Sequence, residues 1–209
     1  MAKGHNRIKI CGLTRPEDAR LAVELGADYL GFIFCSSPRR LDREEARRLM
    51  RSLPPGARRV GVFMDQPLKE VKEFDRCLRL DYLQFHGQEG PEYYRGFGRR
   101  AIKAVRVNSP GDLRDLSRWE TEMVLLDAGQ RGAVGGTGGC FPWDWLGRAP
   151  ASPKIILAGG LHPGNVSLAI EKVQPYAVDV CSGVESSPGI KEWDRLSAFV
   201  AAVRGCLKR

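Results

Sequence analysis

Short runs of β-branched and aromatic residues alternate with longer stretches of mixed apolar and charged residues along the whole chain. Runs of the first kind predict buried strands, and stretches of the second kind predict amphipathic helices. The predicted strands are Ile8–Cys11, Tyr29–Phe34, Val60–Phe63, Tyr82–Phe85, Ala101–Val105, Met123–Asp127, Ile155–Ala158 and Ala177–Val180. Helical stretches follow most of them. Ala46, Leu49, Met50 and Leu53 stand at i, i+3, i+4 and i+7, and Trp193, Leu196, Phe199, Val200 and Val203 make a similar stripe. Each stripe gives a helix one apolar face. Thr14-Arg15-Pro16-Glu17 fits a capping box, Ser109-Pro110 before Asp112 fits a cap with proline in the first turn, and Gly26 fits a helix stop. Such alternation requires a parallel sheet with right-handed crossovers. Eight units favour closure into a (β/α)8 TIM barrel over an open sheet. No linker or low-complexity stretch interrupts the 209 residues, so one barrel domain over 1–209 is expected.

In a barrel of this kind the C-terminal ends of the strands form the active mouth. Cys11 ends the first predicted strand and Asp127 the sixth. That brings a candidate base and a candidate acid to one opening. Glycine-bearing segments follow the last three strands: Gly135-Gly136-Thr137-Gly138-Gly139, Gly159-Gly160-Leu161 and Cys181-Ser182-Gly183-Val184. Glycine lets backbone N–H groups come close to an anion, and barrels commonly hold phosphate at the loops after the last two strands. Gly136, Thr137, Gly138, Gly159, Gly160, Ser182 and Gly183 are therefore the candidate phosphate ligands. Pro188-Gly189-Ile190-Lys191 is the candidate for the late turn near a short helix N-terminus. The combination reads as acid–base isomerisation of a phosphorylated sugar. Each residue has a plainer reading beside it. An isolated cysteine is usually a small buried hydrophobe, an aspartate can simply end a strand, and glycines can simply mark turns. Gln84, His86 and Asp179 are candidate pocket residues at the ends of the fourth and eighth strands; His86 could equally be a hydrogen-bonded wall residue, and Asp179 a stabiliser of the mouth. Lys9 is expected to face away from Cys11.

Composition narrows the partners. Hydrophobic content of 43% and charged content of 28% are those of an ordinary globular chain. No apolar run reaches the length of a membrane helix, and the segment 1–7 lacks the apolar centre of a signal peptide, so a cytoplasmic protein without a membrane partner is expected. The six cysteines are scattered with no CxxC pair, and the three histidines do not join them at zinc-ligand spacing; reduced thiols and no metal are expected. Net charge is +8. The arginines alternate with acids on predicted helices, the pattern of a solvated face, and no nucleic-acid signature accompanies them. A non-catalytic module binding RNA through the basic surface is the alternative from another class, and it would owe nothing to Cys11 or Asp127. GxxxxGK[ST] and a strand-following GxGxxG are absent, which argues against a nucleotide cofactor.

Lys9-Ile10-Cys11-Gly12-Leu13-Thr14 resembles the opening motif of the phosphoribosylanthranilate isomerase family. So do Gly26-Ala27-Asp28 with Gly31-Phe32-Ile33-Phe34, Ser37-Pro38-Arg39, Val60-Gly61-Val62-Phe63 and Leu83-Gln84-Phe85-His86-Gly87. Leu125-Leu126-Asp127, Gly135-Gly136-Thr137-Gly138 leading into Phe141-Pro142-Trp143, Leu157-Ala158-Gly159-Gly160-Leu161 and Val178-Asp179-Val180-Cys181-Ser182-Gly183-Val184-Glu185 continue the match in order. The resemblance implies a phosphate-binding barrel that needs no cofactor and converts N-(5-phosphoribosyl)anthranilate to its 1-deoxyribulose isomer. It implies Cys11 as general base and Asp127 as general acid. It places Arg39 near the anthranilate carboxylate, with Arg40 directly behind it as the alternative. Cys181 stands where serine is common, and anion contacts there are expected to come mostly from backbone. The other phosphosugar barrels fit less well: an indole-glycerol-phosphate synthase would need a lysine acid, and a histidine-pathway isomerase would prefer aspartate at the Cys11 position. A monomer or homodimer remains open.

Overall fold

The computed structural model describes residues 6–128, 140, 142–147 and 149–206. Eight parallel strands follow one another around a closed barrel: β1 (Arg7–Ile10), β2 (Tyr29–Ile33), β3 (Arg58–Phe63), β4 (Tyr82–Phe85), β5 (Ala101–Val107), β6 (Met123–Ala128), β7 (Lys154–Leu157) and β8 (Ala177–Val180). β8 pairs back onto β1 with Lys9 opposite Asp179 and Ile10 opposite Val180. Helices α1 (Pro16–Glu24), α2 (Arg43–Arg51), α3 (Leu68–Leu78), α4 (Pro91–Tyr94), α5 (Val166–Val173) and α6 (Trp193–Gly205) follow β1, β2, β3, β4, β7 and β8. Every predicted strand is present, with ends moved by at most two residues.

Helices thus follow most of the strands, as expected. Among the described residues, only 3-10 turns follow β5 and β6: Pro110–Leu113, Ser117–Trp119 and Trp143–Trp145. The apolar residues after β5 are Leu113, Leu116 and Trp119, a spacing of three that suits the tighter turn. Asp112 still accepts hydrogen bonds from the backbone N–H groups of Asn108 and Ser109, so the expected cap forms on a shorter element. The capping box expected at Thr14 does not form. The Thr14 hydroxyl donates instead to the Gly189 carbonyl at 2.5 Å, and Glu17 pairs with Arg15. A distant acceptor wins over the local one. Gly26 ends α1 with φ +87, as a left-handed stop requires.

Strand residues alternate between two separate cores. Ile8, Ile10, Leu30, Phe32, Leu83, Phe85, Val124 and Leu126 pack outward against Ala19, Ala46, Leu49, Val71, Phe74, Leu196 and Phe199 of the helices. Tyr29, Val60, Ile102, Ala104, Met123, Leu125, Ile156, Ala158 and Ala177 form the inner cluster. The inward parity also carries Lys9 and Cys11 on the first strand and its end, Gln84 and His86 on the fourth, Asp127 on the sixth, and Asp179 and Cys181 on the eighth. Lys9 therefore faces the same way as Cys11, two residues later, and not away from it: period-two alternation puts i and i+2 on one face.

After β8 the chain makes a two-stranded hairpin, β9 (Glu185–Ser187) and β10 (Ile190–Lys191), before α6. Asp18 of α1 anchors this hairpin. It is fully buried, and its carboxylate accepts the Lys191 backbone N–H at 3.0 Å and the Trp193 indole N–H at 2.9 Å. Trp193 itself is half-exposed, so it serves this contact more than the apolar stripe. Asp18→Ala is expected to cost about 1–3 kcal/mol, mostly from the stranded Lys191 N–H. A urea midpoint lowered at constant m-value checks this; an unchanged midpoint would mean that the hairpin is held elsewhere.

Candidate active site

The C-terminal end of the barrel opens into a cleft of about 710 Å³ whose lining includes Ile33, Cys35, Arg39, His86, Arg106 and Asp127. A smaller hollow of about 320 Å³ lies at the opposite end among Arg58, Arg99, Arg100, Glu122 and Tyr176, without a thiol or imidazole. The chemistry-bearing side chains gather at the first of these.

Cys11 follows β1 and is tied to the next strand by a hydrogen bond from its N–H to the Val180 carbonyl at 2.8 Å. Its thiol is buried. A hydrogen bond from Cys181, helped by the charges of Lys9 and Lys191, holds Cys11 well below the usual thiol range although burial works against it. The same hydrogen bond and burial raise Cys181 well above that range. Of the pair, Cys11 is shifted toward its thiolate and Cys181 toward its thiol, whose Sγ also donates toward Glu185 Oε1 at 3.8 Å. Lys9 lies one layer below Cys11, fully buried, with Nζ 2.8 Å from Asp179. Burial opposes its charge, but Asp179 and Cys11 more than compensate and raise its pKa. Burial pushes Asp179 up to about 7 against the pull of Lys9, with the Cys11 charge adding to the rise.

Asp127 faces the same opening from β6. Its carboxylate lies 3.2 Å from His86 Nε2, and His86 Nδ1 lies 3.2 Å from the Gln84 amide nitrogen. His86 reaches the cleft, whereas Gln84 is buried in the layer beneath it. The loop bearing His86 is held from behind by Lys103, which donates to the Gly87 carbonyl at 2.6 Å and pairs with buried Glu89 at 3.3 Å. Arg106 stands opposite Asp127 in the β5–β6 register.

Arg39, and not the exposed Arg40, lines the cleft. Its Nε and Nη2 donate to Glu185 at 2.9 and 2.6 Å. Gly12, at φ +71, makes room for it: a Cβ there would sit 2.7 Å from Arg39 Cδ and 2.8 Å from Cys181 Sγ. Burial would raise Glu185, yet Arg39 and Lys191 keep it below the usual carboxylate range.

The loops after β7 and β8 interlock. Gly159 and Gly160 have φ of +81 and +66. A Cβ on Gly159 would lie 2.7 Å from Asp127 Oδ1, and one on Gly183 would overlap the Leu161 carbonyl oxygen. Ser182–Val184 forms a 3-10 turn just past the C-terminal end of β8. Gly136, Thr137 and Gly138 lie outside the described residues. The late turn Pro188–Lys191 is a β-hairpin bend and not a helix start; what it delivers to the site is the Lys191 ammonium, 2.6 Å from the Cys11 carbonyl. Among the described residues no group of three or more His, Cys, Asp or Glu side chains could hold a metal ion.

The sequence placed Cys181 in the last strand's loop and Lys191 in a late turn but gave neither a side-chain role, turned Lys9 away from the site, and gave Glu185 no part in it. Correct use of strand parity would have found Lys9, and Cys181 shares the inward parity of Asp179. Nothing local marks Lys191, whose partners are 180 and 10 residues away. Because the Cys181 hydrogen bond is the largest influence lowering Cys11, Cys181→Ala should raise the Cys11 titration, and Cys181→Ser should raise it less. Thiolate ultraviolet absorbance against pH, taken as the difference from a matching Cys11→Ser variant, measures the midpoint. An unmoved midpoint in Cys181→Ala would remove the donor role.

Comparison with known proteins agrees with this geometry. The family model described as N-(5'phosphoribosyl)anthranilate (PRA) isomerase matches residues 8–202. N-(5'-phosphoribosyl)anthranilate isomerase of Acidithiobacillus ferrooxidans is 49% identical over 203 residues, covering 95% of this chain and 98% of that protein. The Pelobacter propionicus protein of the same name is 44% identical and covers 93% of each chain. The crystal structure of phosphoribosyl anthranilate isomerase from Thermotoga maritima superposes with a TM-score of 0.87 at 39% identity, covering 96% of this chain and 99% of that one. A phosphoribosyl anthranilate isomerase in complex with reduced 1-(o-carboxyphenylamino)-1-deoxyribulose 5-phosphate superposes with a TM-score of 0.82 at 38% identity, covering 96% and 99%. The chain belongs to the N-(5'-phosphoribosyl)anthranilate isomerase family.

Proposed function

We infer that this protein isomerises N-(5-phosphoribosyl)anthranilate to 1-(2-carboxyphenylamino)-1-deoxyribulose 5-phosphate, the Amadori rearrangement of tryptophan biosynthesis, as one barrel domain over residues 1–209 and without a cofactor. The observation that carries the reading is that one end of the barrel holds both the buried Cys11 thiol, at the end of β1 beside the Lys191 ammonium, and the Asp127 carboxyl that lines the cleft. Family membership supports it.

Asp127 gives a proton to the furanose ring oxygen as the C1′–O bond breaks, and the anthranilate nitrogen lone pair forms the C1′–N double bond. The Cys11 thiolate then takes the C2′ proton. The electrons of that C–H bond form the C1′–C2′ double bond, and those of the C–N double bond return to nitrogen. The resulting enolamine takes up a proton at C1′ as its C2′ hydroxyl loses one, giving the ketone. Gly159, Gly160, Ser182 and Gly183, with Gly136, Thr137 and Gly138, are the proposed phosphate ligands, and they hold the sugar so that both groups reach it. Arg39 offers its remaining Nη1 to the anthranilate carboxylate, since Glu185 takes Nε and Nη2. Gln84, His86 and Asp179 act around the substrate, Gln84 through His86 and Asp179 through Lys9. Lys9 is sealed below Cys11 and unable to reach a substrate, which argues against the lysine acid of an indole-glycerol-phosphate synthase.

The partner is then a phosphorylated small molecule, not nucleic acid, in the cytoplasm. Among the described residues no helix is long and apolar enough to cross a membrane. The Thermotoga maritima isomerase is described as dimeric; a monomer or a homodimer is the reading for this chain.

Loss of anthranilate fluorescence with freshly made substrate, with product identity confirmed against spontaneous hydrolysis, tests the assignment. Cys11→Ala and Asp127→Asn should each lower turnover by about 10²–10⁴-fold with folding retained. No turnover by folded wild type would overturn the substrate. Undiminished turnover in Cys11→Ala would overturn the base alone.

A further inference from the structure

The ends of β1 and β8 are fastened by one side chain. Lys191 is fully buried, and its ammonium donates to the Cys11 carbonyl at 2.6 Å, to Glu185 Oε1 at 2.9 Å and to the Cys181 carbonyl at 3.3 Å. All three ammonium protons are therefore spent on the two cysteine-bearing strand ends and on the carboxylate that grips Arg39. Glu185 completes the junction: besides Arg39 and Lys191 it accepts the Gly189 N–H at 3.2 Å and faces the Cys181 thiol at 3.8 Å.

We propose that Lys191 is a positioning residue for the reaction: it sets the place of Cys11 and Cys181, brings a fixed positive charge beside Cys11, and through Glu185 fixes the angle at which Arg39 meets the substrate carboxylate. This rests on the reading of Cys11 as the base. A buried amide in its place would preserve part of the hydrogen bonding but not the field. The groups facing Cys11 are Lys9 from β1, Cys35 and Arg39 from the loop after β2, Asp179 and Cys181 from β8 and its end, Glu185 from β9 and Lys191 from β10. Lys9 and Lys191 are the cations that favour the Cys11 thiolate, so removing the Lys191 charge removes one of the two.

The sign follows directly. A base works when deprotonated; losing a nearby positive charge raises the pKa of Cys11; its reactive form then disappears at a higher pH than before. The test is the rate of alkylation of Cys11 by iodoacetamide against pH, resolved by peptide mass spectrometry, with exposed Cys77 as internal reference. In Lys191→Gln the midpoint should move up by about one pH unit or more. In Lys191→Arg, which keeps the charge, it should stay near the wild-type value. Asp18→Ala is the structural control, since it frees the backbone of β10 without touching the ammonium; its midpoint should also stay. Turnover by Lys191→Gln should be lost at neutral pH and partly regained as pH rises. A midpoint unmoved in Lys191→Gln, or moved equally in Asp18→Ala, would overturn the proposal. Should Lys191→Gln not fold, Lys191→Met and the Lys191→Arg midpoint decide, since a shift in folded Lys191→Arg as large as that expected for charge loss would also overturn it. Alkylation does not depend on turnover, so an inactive wild type would overturn the substrate while leaving this measurement intact.

Discussion

Charge balance at the seam between the first and last strands governs this site. Lys9, Arg39 and Lys191 are brought together there with only Asp179 and Glu185 to answer them. Taking charges out of water is costly unless they are paired and hydrogen-bonded. Each cation is accordingly bonded to a carboxylate, and one unit of positive charge is left over. The Cys11 thiol lies in this field, and its shift toward the thiolate follows from how the barrel closes, with the Cys181 hydrogen bond and the charges of Lys9 and Lys191 outweighing burial.

The same arrangement separates reach from support. The inward-facing residues divide by exposure: His86, Arg106 and Asp127 line the cleft, while Cys11, Lys9, Gln84 and Asp179 are buried. Lys9 and Asp179 act on Cys11 by charge, and Gln84 contacts His86. Val60, Leu125 and Ile156 close the barrel with apolar side chains. Water is kept from the buried residues, which strengthens every electrostatic contact made among them. The acid side is built more openly than the base side: Asp127 and His86 are partly exposed, whereas Cys11 is buried.

Much of this was legible in the chain. Strand runs such as Tyr82–Phe85 and Ala177–Val180 matched to the residue, because a short run of β-branched, aromatic and aliphatic residues stays recognisable when one inward position is polar, Gln84 in the first and Asp179 in the second. Cys11 and Asp127 could be placed together because a barrel sends every strand end to one mouth. The helix start read at Ser109-Pro110 after β5 opens only a short 3-10 turn, since barrel topology alone does not say how a crossover is filled, and Pro110 with Leu113, Leu116 and Trp119 favours tighter turns. Thr14 was misread because its acceptor, Gly189, is 175 residues away. The Lys9 error was one of parity and avoidable. Glu185 and Lys191 were invisible as site residues for a different reason: their partners are created by closure, and no periodicity within β9 or β10 announces them.

The fastening of β1 to β8 also orders events in time. The hydrogen bond from Lys191 to Cys11 spans 180 residues, and Arg39 reaches Glu185 across 146. Contacts of such separation carry a large loop-closure entropy and form late in folding. A nascent chain that has emitted six or seven strands already holds Cys11, Asp127, Lys9 and Arg39, but lacks Asp179, Cys181, Glu185 and Lys191. Two of the groups that lower the Cys11 titration, Cys181 and Lys191, are thus made last. The surroundings of this thiol are complete only when the final hairpin has closed onto the first strand.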